Sequence, residues 1–206
     1  LGDVYKRQME KRLEDEKQKQ DLEYKMLQSQ INPHFLYNTL NSIKWMATIQ
    51  GATGISEMTT SLSRLLKSIS KGTSLLIDIR EELSLLENYF TIQSYRYGGT
   101  ITMDIQVDNE SLYNSEIIKF TLQPLVENAL YHGIKNKRGK GMIRIEGELD
   151  GEDCILLITD NGKGMTPERL EQVRKGIRNR KARETDIYGL YNVNERIRLN
   201  LSLIHI

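Results

Sequence analysis

The spacing of apolar residues changes once along this chain, at Gly98-Gly99. Before this point apolar residues recur at three- and four-residue steps, which indicates amphipathic helices. After it, the segments "TITMDIQV", "MIRIEGEL" and "CILLITD" have the alternation or the short apolar runs of β-strands. A chain with helices first and strands later is typical of the α+β class, and the change predicts a domain boundary between residues 98 and 99.

The composition is that of a globular protein with one or two small domains. The chain has 206 residues, of which 38% are hydrophobic and 28% are charged, and its net charge is +1. No basic excess calls for a nucleic-acid partner, and no stretch reaches the ~18 apolar residues of a membrane span. We therefore expect the chain as given to be soluble and cytoplasmic, with its single cysteine, Cys154, buried in the apolar run "CILLIT".

The helical half is expected to contain four segments. Residues 9–31 are rich in Glu, Lys and Gln, and indicate a weak coiled coil, a signalling helix or a solvated single helix. Three amphipathic helices follow, over residues 33–48, 55–71 and 81–97. The two ends, residues 1–8 and 201–206, break the local patterns and resemble translated adapter scars, so we exclude them from the fold.

The second half is expected to alternate strands with helices. Asp150-Gly151 predicts the turn of a hairpin between two of the strands. Helices are predicted over residues 120–134, 166–175 and 190–200, and a charged stretch from Arg178 to Asp186 separates the last two.

Pro33 and His34 interrupt the helical pattern within "QINPHFLYNTLNSIKWM". A proline inside a helix costs about 3 kcal/mol, but the first helical position tolerates it. We therefore predict a helix that begins at Pro33, with Asn32 as its N-cap and His34 in its exposed first turn. In projection, Leu36, Leu40, Ile43 and Ala47 form an apolar stripe, and His34 lies on the other side with Tyr37, Asn38, Asn41 and Trp45.

An exposed, neutral imidazole at His34 is available as a nucleophile. Asn38 lies one turn further on, and we expect its side-chain oxygen to hold Nδ1–H and leave Nε2 free to attack. The alternative is a capping motif beside an incidental surface histidine, and these residues alone leave both interpretations open.

The segment "LVENALYHG" has the first of three patterns suited to a nucleotide. Asn128 and His132 stand one helical turn apart along the edge of an apolar stripe. A side-chain carbonyl oxygen is a ligand that Mg²⁺ accepts, together with phosphate oxygens. The segment by itself is equally an ordinary helix edge.

Two further segments add glycines near likely ligand positions. In "ITDNGKGM", Asp160 can accept a hydrogen bond from an exocyclic amine, and Gly162 and Gly164 let the backbone pass close to a flat ring. In "YGLYNVNERI", Gly189 opens a helix whose free N–H groups suit a phosphate. The alternatives are a tight Asn-Gly turn and an unremarkable helix start.

Together and in this order, the three segments resemble the N, G1 and G2 boxes of the gyrase, heat-shock chaperone, histidine kinase and mismatch-repair ATPases. With the His34 segment ahead of them, residues 9–200 resemble a LytS/YesM-type sensor histidine kinase, and "ENALYHGIK" and "GLYNVNERI" are most similar to the YesM branch. The resemblance implies a signalling linker, a helical dimerisation and phosphoacceptor region, and an ATPase α/β sandwich that is incomplete at its C-terminal end. These parts correspond to residues 1–30, 31–98 and 99–200.

The resemblance implies that ATP, with Mg²⁺, gives its γ-phosphoryl group to His34 within a homodimer built from the N-terminal helices. An aspartate in the receiver domain of a response regulator would then accept it. Asn128 becomes the Mg²⁺ ligand, Asp160 the adenine reader, and residues 177–188 a lid. The implied ATP site comprises Asn128, His132, Lys135, Asp160, Gly162, Gly164, Gly189, Leu190 and Asn192.

The chain departs from the family pattern at several positions. Phe35 follows His34 where many histidine kinases have an acid, so either Asn38 only orients the imidazole or a carboxylate such as Glu127 acts as general base. Tyr131 stands where many relatives have lysine. Family members also have upstream membrane spans, and after the last helix they continue through closing strands. Without those strands part of the pocket wall is missing, so we expect this chain to bind ATP weakly and to show little or no self-phosphorylation.

Two other functions compete with the sensor kinase. One is a helical relay module with a degenerate ATP domain, and the other is a different ATPase or protein kinase of the same superfamily. The exposed His34 with Asn38 one turn later favours the histidine kinase.

Overall fold

The computed structural model describes residues 33–70, 74–107, 109–135, 139–151, 153–178 and 188–201. The predicted segment 9–31, the cap Asn32, most of the predicted lid and the tail after residue 201 lie outside the described residues. The chain divides into two compact units, Leu1–Leu66 and Lys67–Ile206. The predicted domain boundary at residues 98 and 99 stays a prediction.

The described part of the first unit consists of α1 (Pro33–Ile49) and most of α2 (Thr53–Ser70), which confirms the two predicted helices. Gly51 has φ +68° in the turn between them, and Ala52 N–H donates to Ala47 O at 2.8 Å. The predicted apolar stripe of α1 is confirmed and so is most of the opposite face, but Tyr37, which was predicted to lie with His34, is half-buried and its hydroxyl oxygen is buried. Ala47 is buried and the rest of the stripe is half-buried, whereas His34, Asn38, Asn41 and Trp45 are exposed.

The second unit is built around a three-stranded sheet. In it β2 (Ile101–Val107) runs parallel to β4 (Gly141–Asp150), and β4 pairs antiparallel with β5 (Asp153–Asp160). Gly151, with φ +64°, makes the predicted hairpin turn between β4 and β5. The centre of the sheet is fully buried at Ile143 and Ile145.

Five helices and two short strands surround this sheet in the described residues. The strand β1 (Leu76–Asp78) pairs antiparallel with β3 (Glu116–Ile118). The helices are α3 (Ile79–Arg96), α4 (Glu110–Tyr113), α5 (Leu122–Asn128), α6 (Pro167–Arg178) and α7 (Tyr188–Leu201). The sequence predicted α3, α5, α6 and α7, but not α4 or the two short strands.

The predicted helix 120–134 changes its geometry halfway. From Ala129 to Ile134 it continues α5 as a π-helical turn, in which Lys135 N–H donates to Leu130 O. Its apolar stripe is buried as predicted, with Leu122, Val126, Ala129 and Leu130 in the core and Leu125 half-buried. π-Helical turns of this kind often occur at functional sites.

The prediction of a buried Cys154 is wrong, because its side chain is exposed. Cys154 stands beside the hairpin turn, opposite Leu149, at the end of the sheet, and β5 lies at the edge of the described sheet. The apolar run "CILLIT" therefore predicts a strand correctly, but it does not show that the side chains of this strand are buried. Among the described helices, none combines the length and the apolar character that a membrane crossing requires.

Candidate functional site

A cavity of about 520 Å³ opens in the second unit beside the end of β5. It brings together residues from all three segments that the sequence singled out. Asn128 and His132 come from α5 and its π-helical turn, Asp160 from the end of β5, Gly164 from the loop that follows, and Leu190 from the start of α7. The cavity is also lined by Gly133, Lys163, Met165, Thr166, Arg169 and Val173.

The loop after β5 is fixed at both of its sides. On one side Asn161 accepts from Met142 N–H at 2.8 Å and its amide group donates to Lys140 O at 3.3 Å, which ties the loop to the start of β4. On the other side Lys163 N–H donates to Gly133 O at 3.1 Å. The loop therefore lies against the π-helical turn.

Asp160 is oriented by its own loop. Its Oδ1 accepts from Gly162 N–H at 2.8 Å, and the carboxylate is exposed. Within the described residues no hydrogen bond engages Oδ2, so this oxygen can accept a hydrogen bond from a ligand amine.

Gly133 and Gly162 allow the loop and the turn to touch. A Cβ on Gly162 would lie 2.4 Å from Gly133 Cα, and a Cβ on Gly133 would lie 2.6 Å from Asp160 Oδ1. The sequence predicted that Gly162 admits a flat ring, whereas the structure gives it a contact with Gly133, which the sequence analysis missed. Gly164 lines the cavity and has φ +67°.

The wall opposite α5 comes from α6. Thr166 caps this helix by accepting from Arg169 N–H at 3.3 Å, and Val173 is buried. "TP" at residues 166–167 predicted the helix start, but nothing local predicted that α6 would face the cavity. Lys163 and Arg169 also line the cavity and bring positive charge to it, which suits an anionic ligand.

His34 and Asn38 are adjacent in the first unit. Asn38 Nδ2 lies 3.4 Å from His34 Nδ1, and both side chains are exposed. The contact was predicted, but with the amide oxygen toward Nδ1. With the nitrogen there, Nδ1 is the acceptor and the ring proton is on Nε2, and a 180° rotation of the amide group reverses this arrangement.

Tyr37, on the turn after His34, has its hydroxyl oxygen buried. Burial raises the pKa of this phenol, so it stays protonated at neutral pH.

Two family profiles match most of the chain. The profile described as "Histidine kinase" matches residues 22–101, and that described as "Histidine kinase-, DNA gyrase B-, and HSP90-like ATPase" matches residues 114–204. The chain belongs to the histidine kinase family. Its cavity lies in the ATP-binding domain of that family, and His34 lies within the range of the other profile.

The similar proteins include sensor kinases of the predicted type. The sensor histidine kinase YesM of Bacillus subtilis (strain 168) is 36% identical over 193 residues, which cover 93% of this chain and 31% of YesM. The sensor histidine kinase YpdA of Escherichia coli (strain K12) is 34% identical over 178 residues, which cover 86% of this chain and 30% of YpdA. The chain therefore spans a little under a third of the relatives it matches.

A solved structure also aligns with the chain. It is the histidine kinase domain from the Erythrobacter litoralis EL346 blue-light activated histidine kinase, with a TM-score of 0.42 and 16% identity over 78% of this chain and 82% of that one.

Several residues predicted for the ATP site do not line the cavity. Lys135 is exposed and its Nζ lies 5.5 Å from the centre of the Tyr131 ring. Gly189 and Asn192, from the first turns of α7, also lie outside the lining, and Gly162 supports the loop from behind. The sequence placed these residues in the right segments but could not tell which side of each segment faces the cavity.

Glu127 points away from the cavity toward α3. It accepts from Gln123 Nε2 at 3.0 Å, and it hydrogen-bonds the buried hydroxyl of Tyr89. Burial, and then the Glu127 carboxylate, raise the pKa of Tyr89. Its neighbour Asn128 is the residue of this pair that lines the cavity.

Proposed function

We propose that this chain is the kinase core of a two-component sensor, which transfers the γ-phosphoryl group of ATP to His34. The single observation that supports this most is the cavity that joins Asn128, Asp160 and Leu190 within the ATP-binding domain. A response regulator would then take the phosphoryl group on an aspartate of its receiver domain, as the two-component role of the relatives suggests.

The cavity residues fit adenine and a triphosphate. In this proposal the Oδ2 atom of Asp160 would accept a hydrogen bond from the exocyclic amine, and Met165, Val173 and Leu190 would offer apolar surface to the ring. Lys163 and Arg169 supply positive charge for the phosphates, and the His132 ring can offer a hydrogen bond.

Mg²⁺ would bind to Asn128 and to phosphate oxygens together. The described residues contain no group of three or more His, Cys, Asp or Glu side chains that could hold a metal. An amide oxygen is a hard oxygen ligand, and Mg²⁺ usually takes most of its other ligands from water and substrate phosphates. When bound, the ion would neutralise charge on the phosphates.

For the transfer itself, we propose that Asn38 orients the imidazole. With its oxygen turned to Nδ1–H, Asn38 would leave the Nε2 lone pair to form a bond with the γ-phosphorus while the bond to the bridging oxygen of ADP breaks. The ring, now an imidazolium, then loses its Nδ1 proton to solvent. The contacts of Glu127 with Tyr89 and Gln123 favour this over a direct role for Glu127 as general base.

The assembly and location follow the same reasoning. A homodimer through the N-terminal helices would bury apolar side chains of one copy against the other. The helices α1 and α2 carry such exposed side chains at Trp45, Ile49 and Ile55. We propose that the chain acts on the cytoplasmic side, in a protein attached to the membrane through other segments.

Labelled ATP tests the proposal. A version of the protein extended to the length of its relatives is incubated with γ-labelled ATP, and we expect an acid-labile label that is lost in His34→Gln. Asn38→Ala should slow labelling by about 10- to 100-fold. Asn41→Ala, on the same exposed face of α1, is the matched control and should label normally.

Other outcomes select the competing functions. Bound ATP without any label would support the relay module. An acid-stable label that survives in His34→Gln would support another protein kinase of the superfamily.

A further inference from the structure

The segment Lys119–Leu122, just before α5, is held by charged side chains from two other helices. Glu82 of α3 accepts from Phe120 N–H through Oε2 at 2.7 Å and from Leu122 N–H through Oε1 at 2.8 Å. Arg196 of α7 donates through Nη2 to Lys119 O at 2.7 Å and through Nη1 to Phe120 O at 3.3 Å. The acid binds the donors of this segment, and the guanidinium binds its acceptors.

The backbone of this segment needs such support. Phe120 has φ +59°, and it is the one non-glycine residue with positive φ in the described part of the chain. A bulky side chain disfavours this left-handed conformation, which persists only where surrounding contacts impose it. Thr121 Oγ1 adds a further hydrogen bond by donating to Ile118 O at 2.6 Å.

The position of Glu82 is unusual for a carboxylate. Glu82 is only 1% exposed, so hydrogen bonds from the two backbone N–H groups and the charge of the nearby Arg196 take the place of water around its carboxylate. Buried acids persist only when hydrogen bonds and opposite charge surround them. Removal of Arg196 would therefore also weaken the hydrogen bonds that Glu82 accepts from Phe120 N–H and Leu122 N–H.

Two of the helices that contact this segment, α5 and α7, also contribute residues to the cavity. The helix α5 begins at its end and carries Asn128, and α7 carries both Arg196 and Leu190. The helix α5 also packs against α3 and α7. A change in the conformation of this segment would therefore move α5 and α7, and with them two walls of the cavity, relative to each other.

We propose that Arg196 and Glu82 are positioning residues for the nucleotide site: through the segment before α5, they hold α7, which carries Leu190, against α5, which carries Asn128 at its other end. Neither residue lines the cavity, so they act through the segment between them. The effect on nucleotide rests on the proposed function, whereas the coupling across the segment does not.

Amide hydrogen exchange without nucleotide tests the coupling. In Arg196→Gln, the Phe120 and Leu122 amides, which donate to Glu82, should exchange at least about tenfold faster relative to the Ile143 and Ile145 amides in the sheet. Arg196→Lys keeps the charge and one donor, and should fall between Arg196→Gln and the wild type. Val107→Ala, a buried truncation at the far end of β2, is the control and should leave this ratio unchanged.

Nucleotide binding tests the consequence. The dissociation constant of Mg²⁺-ATP should rise about tenfold in Arg196→Gln, partly recover in Arg196→Lys, and stay unchanged in Val107→Ala, with each variant folded by circular dichroism. An unchanged exchange ratio in Arg196→Gln overturns the coupling. An ATP affinity equal to that of the wild type, or an equal loss in Val107→Ala, overturns the positioning role.

The two proposals fail in different ways. If the exchange ratio changes in Arg196→Gln but the wild type binds no ATP, the proposed function is overturned and the coupling is still supported. A chain that binds ATP without the coupling overturns only the positioning proposal.

Discussion

At the residue scale, Gly133 and Gly162 show how a close backbone contact shapes the cavity. The loop after β5 crosses the π-helical turn so closely that a Cβ on Gly162 would overlap the backbone of Gly133, and a Cβ on Gly133 would overlap the Asp160 carboxylate. The loop carries Asp160 and the turn carries His132, so the contact sets the spacing between two cavity residues. The two glycines are therefore required by the protein itself, before any ligand is considered.

We predict that Gly162→Ala destabilises the protein by about 1–3 kcal/mol, because the new methyl group would overlap the backbone of Gly133. The displaced loop should also weaken ATP binding by at least about tenfold. Urea unfolding and a nucleotide titration measure the two effects. Wild-type stability in this variant would show that the loop can move away at no cost.

Gly189→Ala should behave differently. A Cβ on Gly189 meets no atom of the described residues within 4 Å, and alanine is the better helix former by up to about 1 kcal/mol. We predict equal or higher stability in urea, together with weaker ATP binding if the helix start approaches the phosphates. A variant that binds ATP normally would show that Gly189 has no part in the site.

The buried Glu82 predicts a pH dependence. Burial raises the pKa of Glu82, and the N–H groups of Leu122 and Phe120 and the charge of Arg196 only partly oppose it. Since the folded pKa is above the unfolded one, the stability from this group is present below pH 4.5 and is lost as the pH rises through the raised value.

Glu82→Gln cannot lose a proton, so it isolates this contribution. We predict that the free energy of unfolding of the wild type, relative to Glu82→Gln, falls as the pH rises above 4.5. Urea unfolding at several pH values measures the difference. A relative rise would mean that the backbone N–H groups and Arg196 outweigh burial.

At the scale of elements, α5 shows where sequence reasoning was sound and where it failed. Its buried stripe was predicted correctly, because apolar spacing alone locates the core face of a helix. Glu127 was considered as a general base and Lys135 as a nucleotide residue, but Glu127 hydrogen-bonds Tyr89 of α3 and Lys135 lies over the Tyr131 ring. A helical projection gives the angle of a side chain and not the element that it meets.

The elements missed by the sequence analysis share a cause. The strands β1 and β3 have three residues each, too few to show any alternation, and they form because they pair with each other. The left-handed Phe120 also has no local signal, since Glu82 and Arg196 impose it from distant helices. The long helices and the β4–β5 hairpin, by contrast, carry their own periodicity and turn residues.

The start of α3 gives a prediction at this scale. Asp78 caps the helix, because its Oδ1 accepts from Glu81 N–H at 2.6 Å. We predict that Asp78→Ala lowers the free energy of unfolding by about 1 kcal/mol, while Asp78→Asn keeps an oxygen at the cap and loses only a few tenths. Urea unfolding followed by circular dichroism measures both, and an equal loss in the two variants would contradict the capping role.

At the scale of the whole molecule, the chain has two compact units with separate chemistry. The candidate phosphoacceptor His34 belongs to the unit Leu1–Leu66, and the cavity belongs to the unit Lys67–Ile206. The sequence also assigned the candidate phosphoacceptor and the candidate nucleotide residues to different domains, and this division of functions stays a prediction. The sequence could not predict the wall from α6, since Thr166, Arg169 and Val173 reach the cavity only through tertiary packing.

This separation predicts that ATP stabilises one unit selectively. A ligand adds free energy only to the unfolding of the part that binds it, about 2.7 kcal/mol at a concentration 100 times its dissociation constant. We therefore expect Mg²⁺-ATP at that excess to slow exchange of the Ile143 and Ile145 amides by about 100-fold, where these exchange through unfolding of the unit.

The first unit should not respond in the same way. The single tryptophan, Trp45, lies on α1, so its emission reports the unfolding of that unit, and ATP should leave its urea midpoint unchanged. Asp160→Ala, which removes the proposed adenine contact, should abolish the slowing in the sheet without changing the Trp45 transition. If instead Trp45 and the sheet gain equal stability, the two units unfold together and the selective effect is excluded; if neither responds at saturating ATP, the cavity is not a nucleotide site.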